Sequence, residues 1–146
     1  MERKLNYVAI VVGGIVYWII QAGWYTALGA QWQVAAGVNP AQQMQQGGTS
    51  PVPFLGSLIC DIIVAWALAW VLTRTGRTSA LAGAVTGAAL SIGFIATILL
   101  TNYLFEQRTR ELFYINAGVA LIGMAVTGAI VGAWQKKDGR ATAAAA

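Results

Sequence analysis

The sequence contains no histidine and a single cysteine, and each shortage removes chemistry. Without histidine there is no His-based triad, no His proton relay and little basis for a zinc site. One cysteine forms no internal disulfide and no zinc centre; set in an apolar run, Cys60 reads as a small buried hydrophobe. Charge is scarce too. Asp, Glu, Lys and Arg make up 10% of the 146 residues, against ~25% in soluble proteins. Hydrophobic residues make up 58%. A soluble fold of this size could not hide so much apolar surface, so the solvent expected is lipid. The net charge of +4 does not point to nucleic acid. The basic residues fall in short clusters between apolar runs, and no basic face with interleaved aromatics exists.

What is present is four long apolar stretches, at residues 5–28, 53–72, 79–104 and 112–134. Each has at least ~20 residues, enough to cross a hydrocarbon core of ~30 Å at ~1.5 Å rise per residue. Lipid offers no partner to backbone N–H and C=O groups, and four strands cannot close a transmembrane barrel, so the spans are expected to be α-helices. The basic start and Ala27-Leu28-Gly29 imitate a signal peptide. The apolar run is longer than a typical signal core, and it reads as the first span. The fold class is an all-α membrane protein, a compact four-helix bundle. It is one domain over residues 1–134, with a low-complexity tail at 135–146 that reads as disordered.

The connections differ in kind. Residues 29–52 carry no charge and six Gln. Within them Asn39-Pro40 looks like an N-cap and N1 pair opening a short helix over 41–46, ended by Gly47-Gly48. The second link carries Arg74 and Arg77. The third carries Glu106, Arg108, Arg110 and Glu111. Arg3, Lys4, Arg74, Arg77, Lys136, Lys137 and Arg140 fall on one side, and only Arg108 and Arg110 on the other. The positive-inside rule then puts both termini in the cytoplasm, with the short first-loop helix outside, in a bacterial inner (plasma) membrane. Aromatics mark both interfaces: Tyr7, Trp70 and Trp134 inside, and Trp24, Tyr25, Tyr103, Phe113 and Tyr114 outside.

Small residues should let these helices approach, since lipid tails are as apolar as leucine and burial of oil does not drive them together. Gly83, Gly87 and Ser91 recur at four-residue spacing in the third span, and Gly128 and Gly132 in the fourth. Ser57, Asp61, Ala65 and Ala69 share a stripe of the second, and Ala9 and Gly13 one of the first. These stripes either hold the chain together or, at Gly128/Gly132, form a subunit interface.

Asp61 is the one ionisable side chain deep within a span, eight residues after Pro53 and so about 12 Å from the outer end. A charge there costs on the order of 3 kcal/mol, so it must be paired, protonated or facing water. Gln21, Thr97, Thr101, Asn102 and Asn116 also fall in the outer half, so all four helices are expected to contribute to a polar cluster there. That cluster either fixes helix register or holds a proton, cation or cationic ligand. No nucleophile–base set, phosphate-binding loop or metal-ligand spacing is visible, and Glu106 and Glu111 lie at a different depth from Asp61. The chain is therefore expected to be no enzyme and to take no cofactor or metal.

Residues 101–106, Thr-Asn-Tyr-Leu-Phe-Glu, residues 112–118, Leu-Phe-Tyr-Ile-Asn-Ala-Gly, the closing Gly132-Ala133-Trp134 and the outer Trp24-Tyr25 carry a resemblance. Together they resemble the bacterial four-helix membrane family known as domain of unknown function 1761, over residues 6–134. The resemblance implies an inner-membrane four-helix protein and brings no established activity or cofactor. It draws Trp24, Tyr25, Tyr103 and Glu106 toward the cluster as an outer rim, with Arg108 and Arg110 beside them. The uncharged, Gln-rich first loop departs from the basic loop common in that family. The function expected first is association in the bilayer, as a homo-oligomer or an accessory subunit of a larger membrane complex; the alternative is a small transporter or channel using the polar cluster around Asp61. An envelope enzyme holding a lipid headgroup is a third.

Overall fold

The computed structural model describes residues 5–45 and 50–135. Arg3, Lys4, Gly47-Gly48, Lys136, Lys137, Arg140 and the expected tail beyond residue 135 lie outside the described residues. Among the described residues, four helices are long and apolar enough to cross a membrane: Tyr7–Ala27, Val52–Thr75, Ala80–Phe105 and Arg110–Ala133. The regular elements of the described residues are all helices, and the chain is a multi-pass membrane protein.

In order, the elements are α1 (Tyr7–Ala27), α2 (Gly29–Ala36), α3 (Pro40–Gln45), α4 (Val52–Thr75), α5 (Ala80–Leu90), a π-helical segment (Ser91–Ala96), α6 (Thr97–Phe105) and α7 (Arg110–Ala133). The third span is thus α5, the π segment and α6 in line. Asn6 accepts from the Ala9 amide to open α1 and donates its own amide to the Trp134 carbonyl at 2.7 Å. That bond joins the start of the first span to the finish of the last, and the opposite end of the bundle is called distal below.

Capping explains the boundaries. Ser79 and Thr109 accept from the amides of Ala82 and Leu112, opening α5 and α7. The side chain of Asn39 accepts from the Ala41 amide at 3.0 Å, and the short helix begins at Pro40, as the Asn39-Pro40 pair predicts. Three C-termini share one Schellman-type closure, in which the residue after a left-handed position bonds back five positions: Val38 to Gln33, Arg77 to Leu72, and Arg108 to Tyr103. Two use a left-handed glycine, Gly37 and Gly76; the third places Gln107 there, at φ 56°.

One helix was not foreseen. After Leu28 the chain bends and resumes as α2, because the Trp32 amide reaches the Leu28 carbonyl at 2.8 Å and carries helical bonding across the bend. The uncharged composition of the loop, read as a connector, reflects a helix lying against the distal end. There Thr109 and Arg108 donate to the final carbonyls of α2, those of Ala35 and Ala36.

The fourth span, α7, is the centre. Half of its most apolar stretch is buried, against 17% for the third span. It packs on α1, α4 and α5, while α4 meets α5 only slightly. The core joins Ala9, Ile10 and Tyr17 of α1, Ala65, Leu68, Ala69 and Leu72 of α4, and Met124 and Val131 of α7. The Thr127 hydroxyl, fully buried, donates to the Gly13 carbonyl at 3.3 Å. Gly128 and Gly132 face Gly83 and Ser79 of the same chain, and Gly87 faces the Met124 backbone. The small-residue stripes at Gly83, Gly87, Gly128 and Gly132 are therefore consumed within the bundle and are not open to a second subunit. Cys60 stands exposed, not buried. Its neighbour Asp61 takes the inward face of α4, and one residue along a helix turns the side chain by about 100°.

Candidate functional site

The distal half of the bundle holds two separate polar groupings, not one. The first lies between α1 and α4. Asp61 is 3% exposed, and its Oδ1 accepts from the Gln21 Nε2 at 2.8 Å. Its Oδ2 is buried and has no hydrogen-bond partner among the described residues. One turn distal on α4, the Ser57 hydroxyl donates to the Phe54 carbonyl, and the Trp18 indole N–H bridges Ser57 Oγ (3.0 Å) and that same carbonyl (3.1 Å). Above Gln21 opens a pocket of about 440 Å³ walled by Trp18, Gln21, Ala22, Tyr25 and Thr26 of α1 and by Pro53, Phe54 and Ser57 of α4. Residues 18, 21/22 and 25 line it together because spacings of three, four and seven share one helix face.

The second grouping joins three helices. Tyr25 donates its hydroxyl to Asn116 Oδ1 at 2.8 Å, and Asn116 Nδ2 donates to the Tyr103 hydroxyl at 2.7 Å. Beside this chain the Trp24 indole N–H reaches the Ile115 carbonyl at 3.1 Å, with its ring over Gly118. Tyr25 stacks edge-on against Trp32 of α2, with ring centroids 6.0 Å apart. At the rim, Arg108 pairs with Glu106 at 3.0 Å, both about half exposed, an arrangement that contributes little to stability. Arg108 and Arg110 border a groove of about 310 Å³ with Tyr103, Phe113 and Tyr114.

Thr97, Thr101 and Asn102 do not join either grouping. All three are exposed, and the two hydroxyls bond back to the carbonyls of Gly93 and Thr97 in their own helix. The cause is the π segment. Asn102 lies eleven residues, three α-helical turns, beyond Ser91, so an unbroken helix would stack it on the face that packs against α7. A π segment adds about one residue to the turn. The face rotates accordingly: Tyr103 turns in to meet Asn116 and Asn102 turns out. Six apolar or small residues, Ser-Ile-Gly-Phe-Ile-Ala, give no local signal of it.

The sequence put Asp61, Gln21 and Asn116 in one expected cluster; the structure bonds Asp61 to Gln21, and Asn116 separately to Tyr25 and Tyr103. The sequence does not single out Trp18 and Phe54, and it shows Ser57 only as part of the small-residue stripe of the second span. The Trp18–Gln21–Tyr25 spacing was the available signal.

A family model described as a protein of unknown function (DUF1761) matches residues 8–132, which takes in nearly all of the four spans. No curated protein and no solved structure matches the chain.

Proposed function

The chain belongs to the DUF1761 family, whose description assigns no activity, and for this member we propose a role carried out by association within the bilayer, with a second copy of the chain as the partner. The observation behind this is the distal half of the third span. No residue of α6 is buried. Its exposed side nevertheless carries Thr97, Thr101 and Asn102, and no hydrogen bond among the described residues uses the Asn102 amide. An amide has both donors and an acceptor, so it complements itself. Two copies related by a two-fold axis along the membrane normal bring Asn102 against Asn102 at equal depth.

The test is the dimer fraction in lipid nanodiscs or by single-molecule photobleaching in liposomes, at falling protein-to-lipid ratio. Interhelical hydrogen bonds in membranes contribute roughly 0.6–2 kcal/mol each, so Asn102→Leu should weaken self-association by about three- to thirty-fold. A wild-type chain that stays monomeric, or an Asn102→Leu variant that dimerises equally well, ends this reading. A different protein bound at this face, without self-association, would replace the second copy by an accessory-subunit role.

A transporter or channel built on Asp61 has less support. On the side of Asp61 away from the distal end the core is filled by Ala65, Leu68, Leu72 and Val131, and the buried Thr127 hydroxyl there is already spent on the Gly13 carbonyl.

A further inference from the structure

On a different face from the one used for association, we propose that the pocket between α1 and α4 is a binding site for a small organic monocation, an ammonium with apolar substituents, held by aromatic rings with the Asp61 carboxyl behind the Gln21 that lines it.

Among the described residues neither ionisation state of Asp61 is satisfied: as a carboxylate its Oδ2 lacks a donor, and as an acid it lacks an acceptor. Buried polar atoms in native proteins nearly all have partners, so this carboxyl stays an uncompensated acceptor behind the Gln21 that borders the pocket, and it favours positive charge there. Asp61 also brings the only formal charge that a span carries at this depth. No Lys or Arg among the described residues borders the pocket, and the distal Arg108 and Arg110 lie at the third link and the start of α7. The local field is therefore negative or neutral, and an anionic ligand would meet no counter-charge.

The pocket's position and lining decide the rest. Gln21 and Ser57 line it and Asp61 does not; Gln21 holds Asp61 directly, and Ser57 lies one turn from it on α4. Its walls present three rings, Trp18, Tyr25 and Phe54. The polar atoms of Trp18 and Tyr25 are already committed, to Ser57 and the Phe54 carbonyl and to Asn116. What remains for a ligand is ring surface, which attracts cations with apolar substituents. About 440 Å³ falls in the range of small-ligand pockets, roughly 300–1,000 Å³. Two sources share this chemistry: a soluble ammonium compound and the choline or ethanolamine headgroup of a lipid.

The experiment measures binding of benzyltrimethylammonium, and of its uncharged carbon isostere neopentylbenzene, to the full chain in phosphatidylglycerol nanodiscs, with empty nanodiscs as the baseline. The cation is expected to bind the wild type in preference to the isostere. Asp61→Asn keeps the oxygen that accepts from Gln21 and removes the charge; it should weaken the cation by about ten-fold or more while leaving the isostere within about two-fold. Ala22→Trp fills the pocket from its exposed wall without touching Asp61 and should abolish saturable binding of the cation. Equal affinity for cation and isostere in the wild type overturns the proposal, as does undiminished cation binding in Ala22→Trp. These two readouts decide the matter even where Asp61→Asn does not fold. A folded Asp61→Asn protein with wild-type affinity also overturns it. Replacing part of the lipid by phosphatidylcholine separates the sources. Competition with the soluble cation assigns the site to a headgroup, and its absence assigns it to the solute; both presuppose, and so support, a cation site.

Discussion

Gly83→Ala is the sharpest probe of how this bundle is held together. Gly83 and Gly128 sit backbone to backbone: a Cβ added to either lands on the carbonyl oxygen of the other, and one at Gly87 lands on the Met124 carbonyl. None of these obstacles is the end of a flexible side chain, so relief requires α5 to move off α7 by about 1 Å. A radial gap of that size forfeits roughly a quarter to a half of the dispersion well of each atom pair it opens, at ~0.1–0.2 kcal/mol per pair. With on the order of twenty pairs along the contact, this is about 1 kcal/mol. Residual strain of an overpacked interior adds about 1–3 kcal/mol. In lipid no compensating hydrophobic force pushes the helices back together. Gly83→Ala should therefore destabilise the chain by about 2–4 kcal/mol, and Gly87→Ala likewise. Gly56 and Gly93 provide the controls, since a Cβ at either meets nothing within 4 Å. Alanine there should be neutral or stabilising by up to about 1 kcal/mol. The assay is reversible unfolding in mixed micelles on titration with a denaturing detergent. Gly83→Ala and Gly93→Ala agreeing within about 0.5 kcal/mol would refute the close backbone contact.

Three further outcomes are expected. Gln107 occupies the left-handed position that Gly37 and Gly76 fill in the other two closures, so Gln107→Gly should stabilise by about 1 kcal/mol in the same unfolding assay; a loss of stability would contradict the shared motif. Gln21→Leu strips the one partner from a buried carboxyl and should destabilise by about 1–3 kcal/mol, whereas the Gln21→Leu/Asp61→Leu double variant, with no polar group left behind, should recover most of that loss. A double variant less stable than Gln21→Leu alone would mean Asp61 has partners beyond Gln21. Deleting Gly93 should convert the π segment to α-helix, turn Asn102 toward α7 and Tyr103 away. A cysteine pair at 103 and 116 in a Cys60→Ser background, crosslinking in the full-length register and not in the deletion, reports it; equal crosslinking in both would show that the π segment does not set the facing.

The chain of single residues decided a good deal without a structure. Four spans follow from apolar length alone, because an unsatisfied backbone in lipid leaves helix as the one option for so few segments. Helix boundaries follow where a side chain does the capping, as at Asn39, Ser79 and Thr109, because that bond is local in sequence. The depth of Asp61, Gln21 and Asn116 follows from counting residues along a helix of fixed rise.

Facing was a different matter, since it depends on rotation about the helix axis and on which neighbour is present. A π segment with no signature residue moved Asn102 outward and Tyr103 inward, which split the expected single cluster and left Thr97, Thr101 and Asn102 on the exposed side. The Gly-xxx-Gly stripe of the fourth span is the same string of letters whether it meets a second subunit or the third span of its own chain. Only assembly put it against Gly83, because contacts between residues forty-five positions apart depend on how all four helices share one central helix. The pocket above Asp61 likewise exists only between two helices, where Trp18 and Tyr25, each merely an aromatic on an apolar span, are held by partners on other helices, Trp18 by α4 and Tyr25 by α7.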